Sequence, residues 1–183
     1  MPLREMRKGD NMIKLTLPLN KECVSELHAG DGVILSGIIL TARDCAHKRI
    51  CALLDEGGRL PFEIKNSYIY YAGPCPAKPN KISGSCGPTT SARMDIFAPR
   101  LLDLGLGGII GKGEMSDEVR KAIVRNGAVY FAAIGGAGAL YGNSVKSSEC
   151  IAFPDLLSEA VYKLEVENFP AIVAYDIYGK SIY

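Results

Sequence analysis

The run GVILSGIILTA, residues 32–42, is apolar and rich in β-branched side chains. It predicts a well-buried strand, and a buried strand needs further elements packed around it. The rest of the chain supplies them in alternation. YIYYAG (68–73), AVYFAAI (128–134) and AIVAYDI (171–177) have the look of further strands, and SVKSSECIAF (144–153) is mixed but strand-like. RDCAHKRICALLDEGG (43–58) puts Cys45, Ile50, Cys51 and Leu54 on one helix face, with Gly57 and Gly58 as a stop. Strands and helices alternating in this way specify an α/β domain.

The edges of the pattern are equally readable. MIKLTLPL (12–19) alternates apolar and polar residues and carries Pro18 near its end, as a half-buried edge strand would. KECVSELHAGD (21–31) suggests a short helix closed by Gly30. Ser116, with Asp117 and Glu118 after it, reads as the cap and first turn of another helix. DLLSEAVYKLEV (155–166) reads as a helix as well. At 183 residues the chain is expected to form one domain, 1–183, with no internal repeat.

Composition excludes several classes. With 48% hydrophobic residues, 22% charged and a formal net charge of +1, no bulk charge directs the chain to nucleic acid or to an anionic membrane. The basic start, MPLREMRKGDNM, lacks the apolar run of a signal peptide, and no segment reaches the length of a membrane helix. A cytoplasmic protein is the expectation. Six cysteines are scattered without a C-x-x-C pair, so reduced thiols are expected, and no metal site built by this chain alone.

SGSCGPTTSARMD, residues 83–95, crowds glycine, proline and hydroxyl side chains in front of a helical pattern, after a long loop, GPCPAKPNKISGSCGP. With Thr89 or Thr90 as N-cap, free N–H groups would meet an anion, and Arg93 could lie over the same end. The plain alternative is a capped helix with a surface arginine. Met94, Phe97, Leu101, Leu102 and Leu104 give the following segment an apolar face that Pro99 should kink or split.

GKG at 111–113 is not a P-loop, because Leu106 and Gly113 stand where that motif needs glycine and a hydroxyl residue. Lys112 can still meet a small anion. GGAGAL after a strand resembles a dinucleotide fingerprint only in part, since Tyr141 takes the third glycine's place, and close packing explains the glycines better. Arg43 falls at a strand-to-helix junction. Arg43, Arg93 and Lys112 are three cations at element ends beside Thr89, a set suited to a small dicarboxylate. His47, in the same basic stretch, is either an acid or base or a packed core histidine.

LSGIILTARDCAHKR, YYAGPCP, GSCGPTTSARMD, GLGGIIGKG and AVYFAAIGGAGAL, in that order, resemble the β subunit, or fused C-terminal domain, of the class I fumarase and tartrate dehydratase family. The resemblance runs from about residue 12 to the end. It implies a swivelling β/β/α domain with a mixed sheet and flanking helices, within an iron–sulfur hydro-lyase that adds water reversibly to fumarate to give malate, a step of the tricarboxylic acid cycle. It implies a (4Fe–4S) cluster held by three cysteines of a partner α subunit, none bound by this chain, and a heteromer inactive without that partner. It carries over Arg43, Thr89, Thr90, Arg93 and Lys112 as substrate-facing residues, with Thr89 in proton transfer at carbon. No ligand role comes over to Cys45 or Cys86. A tartrate dehydratase β subunit and a non-catalytic anion-binding module are the alternatives.

Overall fold

The computed structural model describes residues 12–77 and 79–183; the basic N-terminal stretch up to residue 11 lies outside the described residues. Four strands run parallel side by side: β2 (Gly32–Thr41), β3 (Tyr68–Tyr70), β4 (Gly108–Gly111) and β5 (Val129–Ala132). Their connections carry α2 (Asp44–Asp55), α3 (Ala98–Asp103) and α4 (Asp117–Asn126), so these are β-to-β crossovers of the α/β type. β1 (Ile13–Leu17) lies parallel to the first half of β2 as the expected edge strand, and α1 (Lys21–Ser25) links the two.

β7 (Val161–Tyr175) decides the shape. Its last residues pair antiparallel with β5, and most of its length pairs antiparallel with β2, from Gly32↔Ile172 to Leu40↔Lys163. The ring β2, β3, β4, β5, β7 therefore closes on itself, and β6 (Val145–Ala152) extends the sheet from the first half of β7. Closure leaves β3, β4 and β5 buried on both sides, whereas the first half of β2 is fully buried only at Val33 and Leu35 and Ile38 is exposed. Ile69, Ile109 and Tyr130 face outward into the core under α2, α3 and α4. Tyr68, Tyr70, Ile110, Val129 and Phe131 face inward with Phe169 and Val173, and Tyr141 of α5 (Gly138–Ser144) joins that inner core. Neighbouring residues of one strand thus belong to two cores, which is why the strands read as continuous apolar runs.

Five local expectations are corrected. Residues 155–166 are not a helix: Pro154–Glu159 form a 3₁₀ turn and Val161 begins β7. Leu, Glu and Lys favour a helix locally, but Val161, Leu164 and Val166 are buried by pairing with β2 and β6, and non-local pairing overrides propensity. On α2 the buried face is Ala46, His47 and Ile50, while Cys45 is exposed and Cys51 and Leu54 are half-buried. α1 ends at Ser25, and Gly30 turns the chain farther on with φ of 99°. Ser116 occupies the N-cap position of α4 but its side chain does not cap; its own N–H donates to Asp95 Oδ2 at 2.9 Å. Pro99 does split the segment after the opening motif, into a 3₁₀ turn, Ser91–Met94, and α3, but Leu104 is exposed rather than part of the apolar face.

Candidate functional site

The C-terminal ends of the parallel strands form one rim. Thr41 of β2 is level with Tyr70 of β3, and Tyr70 with Ile110 of β4. Arg43 stands two residues beyond β2, Lys112 one beyond β4.

Residues 88–90 are laid into the rim between them. Thr89 N–H donates to Tyr71 O at 2.6 Å, Thr90 makes a parallel bridge with Lys112, and Ser91 N–H donates to Lys112 O at 2.9 Å. Thr89 is half-buried and Thr90 exposed. The expected helix start is a correction. Thr90 precedes a 3₁₀ turn of four residues and its side chain makes no capping bond. So short a turn has little dipole to offer an anion, and the cationic side chains carry any such role.

Each rim cation has its own setting. Arg43 Nη2 lies 3.5 Å from Glu159 Oε1, and Glu159 Oε2 also accepts the Cys45 N–H at 3.0 Å. Gly73 makes room for this arginine: a Cβ there would stand 3.2 Å from Arg43 Cδ and Nη1, and 2.8 Å from Ser158 O. Arg43 Nε is buried without a hydrogen-bond partner among the described residues. Arg93 Nε donates to Asp44 Oδ1 at 3.0 Å, and its Nη2 lies 3.0 Å from Oδ2. No ion pair joins Lys112 to a described carboxylate; its chain lies along Gly135, whose Cβ would be 3.9 Å from Nζ.

Beneath the rim is a buried polar layer. Ser91 Oγ and Tyr130 OH are 2.9 Å apart, and Tyr130 OH donates to Gly113 O at 2.7 Å. Gly111 fits between them and Tyr71: a Cβ would fall 2.0 Å from Ser91 Oγ. His47 is fully buried, packed on Phe97 and edge-on to Tyr71, with Nδ1 2.8 Å from Arg43 O. With that carbonyl as acceptor, Nδ1 carries the proton. Burial holds the imidazole at a pKa of about 4, against a weaker opposing effect of the Arg43 carbonyl. His47 is the packed core histidine of the two readings, turned away from acid–base work at neutral pH.

The two glycine-rich stretches clasp each other. Cys86 N–H donates to Gly138 O at 2.9 Å, and a Cβ on Gly138 or Gly142 would collide with Ser85 Oγ or Gly84 O at 2.3 Å. Gly138 of GGAGAL, and Gly142 after it, therefore serve close packing as expected, whereas Gly136 has open space around it and is needed for its φ of 82°. Cys86 is buried in the same place and its thiol is pushed up to about 12 by burial, which makes it unreactive. No three His, Cys, Asp or Glu side chains gather into a metal site among the described residues.

Arg43, Thr89, Thr90, Arg93 and Lys112 are thus placed on one rim by four separate elements. Asp44, Glu159 and Gly73 complete that rim without any signal in the sequence. Asp44 looks like a helix-start residue, Glu159 sits in a segment with helical composition, and Gly73 is one turn former among many.

A family model described as the fumarase C-terminus matches residues 2–183. A Methanocaldococcus jannaschii protein provisionally named L(+)-tartrate dehydratase subunit beta is 46% identical over 171 residues, 90% of this chain and 88% of that one. Fumarate hydratase 2 of Leishmania major is 39% identical over 93% of the chain, and the anaerobic class I fumarate hydratase of Escherichia coli (strain K12) 38% identical over 99%. The chain spans 31% and 34% of the lengths of those two hydratases, whereas it matches the tartrate dehydratase subunit nearly end to end.

Proposed function

The chain belongs to the fumarase C-terminus family, and from that membership we propose that it is the β subunit of a class I fumarate hydratase. In this reading it swivels against an α-type partner and completes with it the site for reversible hydration of fumarate to malate. The observation that carries the reading is the rim itself. Three cations on three loops, with two threonines between them, match a ligand with a carboxylate at each end.

The chemistry asks little more of this chain. Hydration adds a hydroxyl to one carbon of the double bond and a proton to the other; dehydration removes both. Taking a proton from the carbon beside a carboxylate pushes charge onto that carboxylate, and Arg43, Arg93 and Lys112 are the cations proposed to meet it. Thr89 is the residue proposed to hand over or take that proton. A threonine hydroxyl needs an activating neighbour, which the partner would supply. The family resemblance assigns an iron–sulfur cluster to the partner, where it would provide a Lewis acid for the hydroxyl group.

A tartrate dehydratase β subunit is the second reading, favoured by the end-to-end match to the archaeal protein. Tartrate differs from malate by one hydroxyl, and both carry the two carboxylates that the rim suits. Kinetics of the chain assembled with its partner decide between them. A kcat/KM for malate and fumarate well above that for tartrate supports the first reading, and the reverse order replaces it with the second. If the assembled protein dehydrates neither, the chain is an anion-binding module.

A further inference from the structure

We propose that Asp44 is a positioning residue that fixes which edge of the Arg93 guanidinium faces the ligand; this rests on the reading of Arg93 as a carboxylate anchor. Arginine presents five donors in a planar fork, so its usefulness depends on which edge is free. Arg93 Nε donates to Asp44 Oδ1 at 3.0 Å. Nη2 is 3.0 Å from Oδ2, an ion-pair contact too poorly aligned to make a second hydrogen bond. Asp44 therefore occupies the Nε/Nη2 edge. Nη1 has no partner among the described residues, and the edge it shares with Nη2 is the one left for a carboxylate.

Two features distinguish this pair from an incidental surface contact. The carboxylate is the fixed member: Asp44 opens α2 and its side chain is 21% exposed, whereas that of Arg93 is 53% exposed and rises from a four-residue turn. The neighbouring arginine also has a carboxylate of its own, Glu159, so Asp44 is not shared with Arg43. Exposed ion pairs contribute little to stability. What Asp44 contributes is direction, removing the rotamer freedom that a long side chain on a short turn would otherwise keep.

The test is steady-state kinetics of the chain assembled with its partner, for Asp44→Ala, Asp44→Glu, Arg93→Ala and the Asp44→Ala/Arg93→Ala pair, with thermal melts of each. Asp44→Ala is expected to raise KM for the dicarboxylate about tenfold with a smaller fall in kcat, since an oriented contact made in ground and transition state alike is lost. Asp44→Glu should recover part of that loss. In the Arg93→Ala background Asp44→Ala should add nothing, because Asp44 acts only through Arg93. A large loss with Arg93→Ala but none with Asp44→Ala overturns the proposal and leaves the anchor reading intact. Equal losses from Asp44→Ala with and without Arg93 also overturn it. Wild-type kinetics in Arg93→Ala remove the anchor reading and this proposal together. Should Asp44→Ala fail to fold, Asp44→Ser keeps a small polar residue at the helix start that is too short to reach Nε–H, and an unchanged KM there is equally fatal.

Discussion

The strand-end rim and the outer face of α4 are both rich in cations, and they use them in opposite ways. On α4, Arg120 pairs with Asp117 and Lys121 with Glu118, each three residues apart, while Arg125 reaches Asp103 at 2.7 Å. Charge is balanced within a turn or by the neighbouring helix. Beneath that face lie Val119, Ala122 and Ile123, with nothing polar to organise. On the rim, Lys112 has no carboxylate partner among the described residues, Arg93 is held along one edge, and Arg43 keeps a buried Nε unpaired. Beneath it is a polar layer of His47, Ser91 and Tyr130. A cation whose charge is met locally serves solubility and the helix; one left partly unmet over an organised layer is available to a ligand.

The broadest test asks whether the rim is complete. The purified chain alone should show no hydratase activity, and malate dehydration should appear on adding the α-type partner. Turnover by the chain alone would show that the rim needs no second wall.

Next in size is the contrast between two lysines. Lys112→Ala should lower kcat/KM of the assembled enzyme by about tenfold to a hundredfold, the equivalent of one charge-assisted contact of roughly 1.5–3 kcal/mol. Lys121→Ala on α4 should change neither kinetics nor Tm. Equal effects at the two sites would erase the distinction drawn above.

The layer under the rim predicts a pH dependence of its own. His47 is neutral in the folded protein with a pKa of about 4, below its ordinary value of 6.5. The unfolded chain therefore binds this proton first as pH falls. The corresponding stability is intact above about pH 6.5, declines between there and pH 4, and totals about 3 kcal/mol as an upper estimate. Denaturant melts at a series of pH values should show His47→Gln with a shallower acid slope than the wild type. Parallel slopes would mean that other groups govern acid stability.

The smallest effect concerns fit. Gly111→Ala puts a methyl group 2.0 Å from Ser91 Oγ, and overpacking of this kind costs about 1–3 kcal/mol. Because Ser91 follows Thr89 and Thr90, the Tm loss should come with a kcat loss in the assembled enzyme. A destabilised but fully active variant would uncouple the polar layer from the rim.

Part of this molecule was legible in the chain. The buried strands at 68–73 and 128–134 announced themselves because a strand covered on both faces has no polar side to show, and 32–42 read the same way although one face of its first half is only partly covered. α2 was legible from its periodicity, α4 from the acidic first turn after Ser116, and the family from several motifs in a fixed order. The positions of Arg43 and Lys112 at strand ends followed from the same patterns, since a junction between two local signals is itself a local signal.

The rest depended on contacts between distant residues. β7 is a strand because β2 and β6 bury alternate residues of a segment whose composition favours a helix. That pairing closes the ring and brings the turn at Pro154–Glu159, with Glu159, against Arg43. The helix start expected at Thr89 or Thr90 gave way to a 3₁₀ turn, because residues 88–91 pair with Tyr71, Ala72 and Lys112. Sequence determined which side chains are candidates to meet an anion. Only tertiary structure decided which carboxylates hold those side chains in place, because ion-pair partners 49 residues apart, such as Asp44 and Arg93, share no local pattern.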